Sequence, residues 1–464
     1  LAPVEDFLAL QKSAWRQHGP LSYEQRKTIL ESLADMLTRH QSDLTAAISR
    51  DFGNRHARES EIYEIYPLQA EIRYVLKHLK QWMRPRRVHT RWPFFPGRSV
   101  VVPQALGVVG IIGAWNFPLL LILLPLISAI AAGNRVIIKA PRLVPQSMAA
   151  LAGYLEQIAP PEIMVLLQAS PELDRSFPGL PFDHLIFSGS TRTGRVVARA
   201  AARNLVPVTL SMSGKSPAII EPGYPLERAA RALIAGKLAN GGQTCIAPDY
   251  CLVQAQQHAP FIAQAQRAIS ALYPDWSRNL DYTHVPSPLL WRRLQELLED
   301  AVTKGATLWQ AEGVGDDESV FAPALLWNTR PGMKILEEEI FGPILVIMDY
   351  REIEEAVEYV RDRPAPLALY YFGADRRRAL RRVSGIAAGG VGINGTLFHV
   401  AQPGIPFGGV GHSGMGQYRG IHGFQRLSHN QGVYQQSRWS PCSWVRPPYG
   451  PNTRRLMRWL LRWG

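Results

Sequence analysis

Cysteine is scarce in this chain: 464 residues contain three, Cys245, Cys251 and Cys442. Three cannot build a multi-bridge framework, so a reducing cytoplasm is the expected compartment. The histidines are scattered, and no His/Cys/carboxylate cluster has metal-ligand spacing, so no metal is expected. The GxGxxG fingerprint of dinucleotide folds is missing. Long apolar runs are missing too: FPLLLILLPLISAIAA, Phe117 to Ala132, falls short of the ~20 residues of a bilayer span and contains Pro118 and Pro125. It reads as a buried helix following a buried strand. The opening LAPVEDFLALQKSAWRQ reads as an amphipathic helix, not as a secretory signal. Acidic residues are in deficit, 38 against 51 Lys and Arg, which leaves a formal charge of +13. The arginines are spread along the chain and the basic-aromatic signatures of nucleic-acid modules are absent, so no nucleic-acid partner is expected. A basic surface that attracts anionic cofactors or anionic lipid is the simpler reading.

With 46% apolar and 19% charged residues the chain is ordinary globular protein, long enough for two or three domains. Helical periodicity fills Tyr23 to His40 and Glu59 to Trp82. The proline and arginine cluster MRPRRVHTRWPFFPG, Met83 to Gly97, breaks it and reads as an exposed arm. Beyond it, short apolar runs (GVVGII, RVIIK, IMVLL, HLIFSG, VPVTL) alternate with helix-length segments such as Gln146 to Gln157 and Thr193 to Asn204. That alternation predicts a parallel, doubly wound sheet with ligands at the carboxyl ends of its strands. After Ser213 a second α/β series begins, with a helix over Leu226 to Ala239, and runs to about Gly390.

The loop that opens this second series, NGGQTCIAPDY from Asn240 to Tyr250, surrounds Cys245. A cysteine attacks only as thiolate, and Gly241 and Gly242 let backbone, substrate and cofactor approach it closely. GQTC followed by APDY resembles the catalytic cysteine segment of the aldehyde dehydrogenases, in the subgroup of the class 3 and coniferyl aldehyde enzymes. LEEEIFGPIL (Leu336 to Leu345), GAWNFP around Asn116, RPAPLALYYFG (Arg363 to Gly373), VGINGT with Asn394, and PFGGVGHSGMG (Pro406 to Gly416) extend the resemblance from about residue 5 to about residue 430.

The resemblance implies an aldehyde dehydrogenase-like α/β fold: two doubly wound α/β domains, one cofactor-binding and one catalytic, plus a small oligomerisation arm. Residues 1–82 and 104–209 would form the dinucleotide-binding domain and 210–393 the catalytic domain. Segments 83–103 and 394–440 would bridge subunits of a homodimer. FSGSTRTG, Phe187 to Gly194, places glycines and a free helix N-terminus where a phosphate would be held. By the resemblance Gly189, Ser190 and Gly194 belong to a pyrophosphate site, Lys139 reaches the adenosine ribose, Trp115 lies with the coenzyme contacts, Glu339 holds the nicotinamide ribose and Phe341 packs beside the nicotinamide. Where the family commonly has a ribose-binding glutamate, this chain has Arg142. A guanidinium cannot accept hydroxyl protons but pairs with phosphate, so of NAD and NADP the expectation leans to NADP.

The implied chemistry is attack of Cys245 on an aldehyde, with Asn116 and the Cys245 amide holding the oxyanion, then hydride transfer and a thioester. Here the chain departs: the family motif LELGGK is LSMSGK, Leu210 to Lys215, with Ser211 in the place of the general-base glutamate and Ser213 in that of a glycine. Losing a positioned base costs about 10² to 10⁴ in rate. Three readings follow: hydrolysis impaired but continuing with Glu339 as base; acyl transfer to or from a thiol such as coenzyme A; or a weak, cofactor-binding assembly protein. The tail, 441–464, ends in RRLMRWLLRWG, with Arg454, Arg458 and Arg462 on one helical face and Leu456, Leu460 and Trp463 largely opposite. It is too short to span a bilayer and suits either peripheral contact with an anionic membrane or packing on a neighbouring subunit.

Overall fold

The computed structural model describes residues 4–313, 319–438 and 447–463. Cys442, the tail before residue 447 and the side chain of Trp463 lie outside the described residues. In chain order the strands are β1 (Arg86–Val88), β2 (Arg98–Ala105), β3 (Val108–Ile112), β4 (Arg135–Lys139), β5 (Met164–Leu167), β6 (His184–Gly189), β7 (Val208–Met212), β8 (Pro217–Ile220), β9 (Tyr250–Gln254), β10 (Thr307–Gln310), β11 (Ala324–Trp327), β12 (Ile344–Tyr350), β13 (Ala368–Phe372), β14 (Gly390–Ile393), β15 (Gly414–Met415) and β16 (Ser428–Gln435).

The apolar runs become the centres of two sheets. One has the order β15-β7-β6-β3-β4-β5, the other β10-β11-β12-β9-β8-β13-β14. Every residue of β3, β4, β8 and β13 is buried, as strands covered on both faces require. Both sheets are parallel except at one edge, where β15 runs antiparallel to β7 and β10 antiparallel to β11. The expected doubly wound pattern therefore carries one reversed edge strand in each sheet. β15 is contributed by a segment about 200 residues downstream of β7, which apolar periodicity could not assign to that edge.

The helix Leu120–Ala132 is apolar on all sides and buried almost completely despite Pro125. The expected helix over Glu59 to Trp82 is divided into Ala57–Ser60, a wide π turn over Glu61–Ile65, and Tyr66–Trp82. Pro67 explains the widening, because it has no N–H to close a bond to the carbonyl four residues back. β1, β2 and β16 form a separate antiparallel sheet, with β16 exposed over most of its length. The tail helix Pro451–Trp463 buries Leu456 and sets Trp459 against Trp92, ring centroids 4.9 Å apart.

Strand order fixes where a ligand would go. β3 is followed outward by β4 and β5, and the chain then returns to lay β6 on the other side of β3. The crevice at the carboxyl ends of β3 and β6 is this topological switch point. The loops that lead into β9 and β12 of the second sheet meet it there: Asn116, just after β3, bonds to the Cys245 loop, and Ser213, just after β7, bonds to Glu339 ahead of β12.

Candidate active site

The helix Leu226–Leu238 delivers the chain to a turn in which Asn240, Gly241 and Gly242 all have positive φ, at 55°, 60° and 77°. At Gly242 a Cβ would collide with the backbone of Gly342 and Pro343, so glycine is needed for space as well as conformation. The turn is fastened from three sides. Glu59 accepts the Asn240 amide at 2.7 Å, Gln243 donates to the His284 carbonyl at 2.9 Å, and Asn240 donates to the Asn116 carbonyl at 2.9 Å. Cys245 at its end keeps part of its surface open, but protein surrounds the sulfur. Burial, then the charge of Glu339, pushes the thiol up to about 12, while the amides of Cys245 and Ile246 pull it back.

Asn116 is buried beside this loop and donates from Nδ2 to the Gln243 carbonyl, two residues before the cysteine, at 3.0 Å. A primary amide has a second proton to offer. Behind it lies an ion pair that sequence reasoning did not find. Arg55 meets Glu64 at 2.9 Å with both side chains fully buried, and Arg55 also donates to the Asn116 carbonyl at 3.4 Å. Glu64 accepts the amides of Leu119 and Leu120 at 2.7 and 3.0 Å, satisfying free N–H groups where the helix Leu120–Ala132 begins. Its sequence signal is nil, because a glutamate among alternating charges looks like one on a solvated face.

Glu339 approaches the cysteine from the other side. Ser213 donates its hydroxyl to Glu339 Oε2, and Arg293 donates to the carbonyls of Glu339 and Ile340. Lys215 ties the same segment down, donating to the carbonyls of Ile335 and Glu338 at 2.7 and 2.8 Å and pairing with Asp249 at 3.2 Å. Burial raises the Glu339 carboxyl to about 8, against the lowering effect of the Ser213 hydroxyl. Phe341 has φ 53° and sets its ring edge-on to Trp115, centroids 5.7 Å apart.

Ser211 is buried on β7, in register with Ser188 of β6 and Gly414 of β15. The buried Tyr418 hydroxyl lies beside both serine hydroxyls without closing a well-formed hydrogen bond, and it feels the charge of Cys245. Ser211 thus brings a hydroxyl, and no carboxylate, to the buried group it forms with Ser188 and Tyr418.

The coenzyme candidates gather at the carboxyl ends of β4 and β6. Ser190 caps the helix Thr191–Ala202 by accepting from the Thr193 amide at 3.3 Å, and Gly194 lets the helix close on β7, where a Cβ would strike the Met212 sulfur. Gly189 ends β6 just before the cap. Lys139 ends β4 and donates to Asp174 Oδ1. Arg142, the residue behind the lean to NADP, is engaged: its Nε meets Asp174 Oδ2 at 2.8 Å. A helix N-terminus for phosphate, beside a lysine and carboxylate suited to a ribose, fits the chemistry of a dinucleotide.

A cysteine at the end of this turn, an amide donor beside it, a half-buried carboxylate and a crevice that fits a dinucleotide are the parts a nicotinamide-dependent dehydrogenase would need. Residues 3–433 match the aldehyde dehydrogenase family. The chain is 42% identical over 454 residues to a probable coniferyl aldehyde dehydrogenase of Pseudomonas aeruginosa, covering 98% of this chain and 95% of that protein. It is 38% identical to a coniferyl aldehyde dehydrogenase of a Pseudomonas species, covering 97% and 94%. Among solved structures, the substrate-bound state of Staphylococcus aureus AldH superposes with a TM-score of 0.92 at 32% identity, over 99% of this chain and all of that one (100%). An NAD+ complex of a Mycobacterium tuberculosis aldehyde dehydrogenase gives 0.86 at 25% identity, over 95% and 92%. The chain belongs to the aldehyde dehydrogenase family and is an NAD(P)-dependent aldehyde dehydrogenase.

Proposed function

We propose that Cys245 attacks an aromatic aldehyde of the coniferyl type, that Asn116 and the Cys245 amide hold the oxyanion, and that the resulting thioester is hydrolysed slowly, with Glu339 as base. The observation that carries this reading is the Glu339 carboxylate, whose charge acts on Cys245 and which Ser213 holds, while Ser211 of β7, two residues before that serine, has no basic capacity. A bound nicotinamide supplies the hydride acceptor. The chain's own groups do the rest. Glu339, raised to about 8, takes a proton from the attacking thiol or water once ionised, and Ser213 steadies it. Trp115 and Phe341 wall the nicotinamide side, with Glu339 also near its ribose. Gly189, Ser190 and Gly194 hold the pyrophosphate, and Lys139 the adenosine end. Arg142, with 63% of its side chain exposed, supports acceptance of the 2′-phosphate of NADP beside NAD.

The substrate class rests on the names of the similar enzymes. Rapid-mixing kinetics with coniferyl aldehyde tests the reading. A stoichiometric burst of reduced coenzyme followed by slow turnover is expected, and Ser211→Glu should speed the slow phase. A burst whose slow phase accelerates with added coenzyme A would move the assignment to acyl transfer. No burst over a broad aldehyde panel would leave only a binding role.

Two assembly features complete the proposal. β16, an eight-residue exposed edge strand bearing Val433 and Tyr434, is the surface through which a homodimer would form, and sedimentation of Val433→Asp against the parent checks it. Arg454, Arg455, Arg458 and Leu461 on the exposed side of the tail helix would rest on anionic lipid. Equal flotation with vesicles after removal of residues 451–464 would end that idea. Among the described residues no helix is long and apolar enough to cross a membrane.

A further inference from the structure

We propose that Asp174 supplies the carboxylate for the adenosine ribose that residue 142 no longer provides, and that its pairing with Arg142 sets the choice between NAD and NADP. The inference rests on the reading of this crevice as the coenzyme site and names the group that discriminates within it.

Lys139 ends β4 in the crevice and is nearly buried. Beside such a lysine a ribose diol needs an acceptor for two hydroxyl protons, and Arg142 has none to offer. The acceptor arrives from another element. The short helix Pro171–Ser176 is fixed by Ser170, whose hydroxyl accepts the Leu173 amide at 3.1 Å and whose carbonyl accepts the Asp174 amide at 2.9 Å. Asp174 on its first turns directs Oδ1 to Lys139 Nζ and Oδ2 to Arg142 Nε at 2.8 Å. Its side chain remains 25% exposed, so the carboxylate is reachable from solvent. A carboxylate has about four acceptor positions, and these two contacts use two of them, which leaves two for a diol.

The same geometry works against a 2′-phosphate. The phosphate would enter beside a carboxylate and would have to draw the Arg142 guanidinium away from it. With NAD the pair stays closed and Asp174 receives the hydroxyls. With NADP the pair must open, so Asp174 penalises the phosphorylated coenzyme and Arg142 compensates in part.

The test is binding alone, by calorimetric titration of NAD and NADP into the parent protein, Asp174→Asn, Asp174→Glu and Arg142→Ala. Asp174→Asn should weaken NAD about tenfold, the scale of a lost charge-assisted acceptor, and tighten NADP. Asp174→Glu should recover part of the NAD affinity. Arg142→Ala, at a largely exposed side chain, should weaken NADP and spare NAD, which keeps the proposal open to refutation if the Asp174 variants fold poorly. Unchanged NAD affinity in Asp174→Asn, equal weakening of both coenzymes, or an unaltered NAD to NADP ratio in Arg142→Ala would overturn it. If the parent protein bound neither coenzyme, the reading of the crevice itself would fall, an outcome distinct from all of these.

Discussion

Ser213 donates its hydroxyl to the carboxylate of Glu339. The serine that interrupts the family's glycine pair thus holds the residue we assign as base, and the contact lowers a carboxyl that burial otherwise raises. A base works only when ionised, so turnover limited by Glu339 should be low at neutral pH and rise through a midpoint near 8. Ser213→Ala removes the lowering contact and should move that midpoint upward. Glu339→Gln should abolish the ascending limb. A profile for Ser213→Ala that superposes on the parent's would show that the contact does not tune the base.

Asn116 holds the Cys245 loop and still has an amide proton to offer. Asn116→Ala should slow the burst by about 10² to 10³, the usual effect of removing one oxyanion donor, while coenzyme affinity stays within twofold by calorimetry. Cys245→Ala should abolish the burst and preserve coenzyme binding. An Asn116→Ala burst at the parental rate would remove the oxyanion assignment.

What sequence could and could not reveal follows from the range of the interactions. β3 and β4 were legible because strands buried on both faces carry apolar runs, VVGII in β3 and VII between Arg135 and Lys139 in β4. The cysteine turn was legible because Gly241 and Gly242 announce a backbone that few other residues can adopt. Asp174 was not. Its meaning depends on a partner 35 residues away on a different element, and alone it resembles any carboxylate on a short surface helix. Arg142 shows the same limit from the other side: its charge was evident and its engagement with Asp174 was not. The Ser211 departure was evident too, yet the buried hydroxyls of Ser188 and Tyr418 around it come from β6 and from the segment after β15, which only the folded chain assembles.

The Arg55–Glu64 pair should be costly to break and less costly to replace. Both side chains are fully buried, so Glu64→Gln leaves an uncompensated guanidinium and withdraws charge from the amides of Leu119 and Leu120. A loss of about 3–5 kcal/mol is expected in urea unfolding. The double variant Arg55→Met with Glu64→Leu should recover much of it, since neither charge is then stranded. If the double variant were as unstable as the sum of its singles, the pair would have no coupling and the argument from stranded charge would fail.

His184 offers a separate test, of acid stability. Its imidazole is buried on β6, bonded through Nε2 to Thr209 Oγ1 at 2.8 Å, and Thr209 also accepts from Arg426 Nε at 2.9 Å. Burial, with the Arg426 charge added, lowers its pKa to about 3 in the folded chain, against about 6.5 in the unfolded one. A depressed pKa means that the unfolded chain binds the proton more tightly. The contribution of neutral His184 is therefore intact above about pH 6.5 and is lost as pH falls toward 3, by up to about 1.4 kcal/mol per unit. His184→Asn, which can keep a polar contact to Thr209 but does not titrate, should lose less stability than the parent between pH 7.5 and pH 5. The comparison is one of slopes, so a constant penalty from the smaller side chain cancels. Parallel pH dependence in the two proteins would mean that other groups govern acid unfolding and that the buried imidazole is silent.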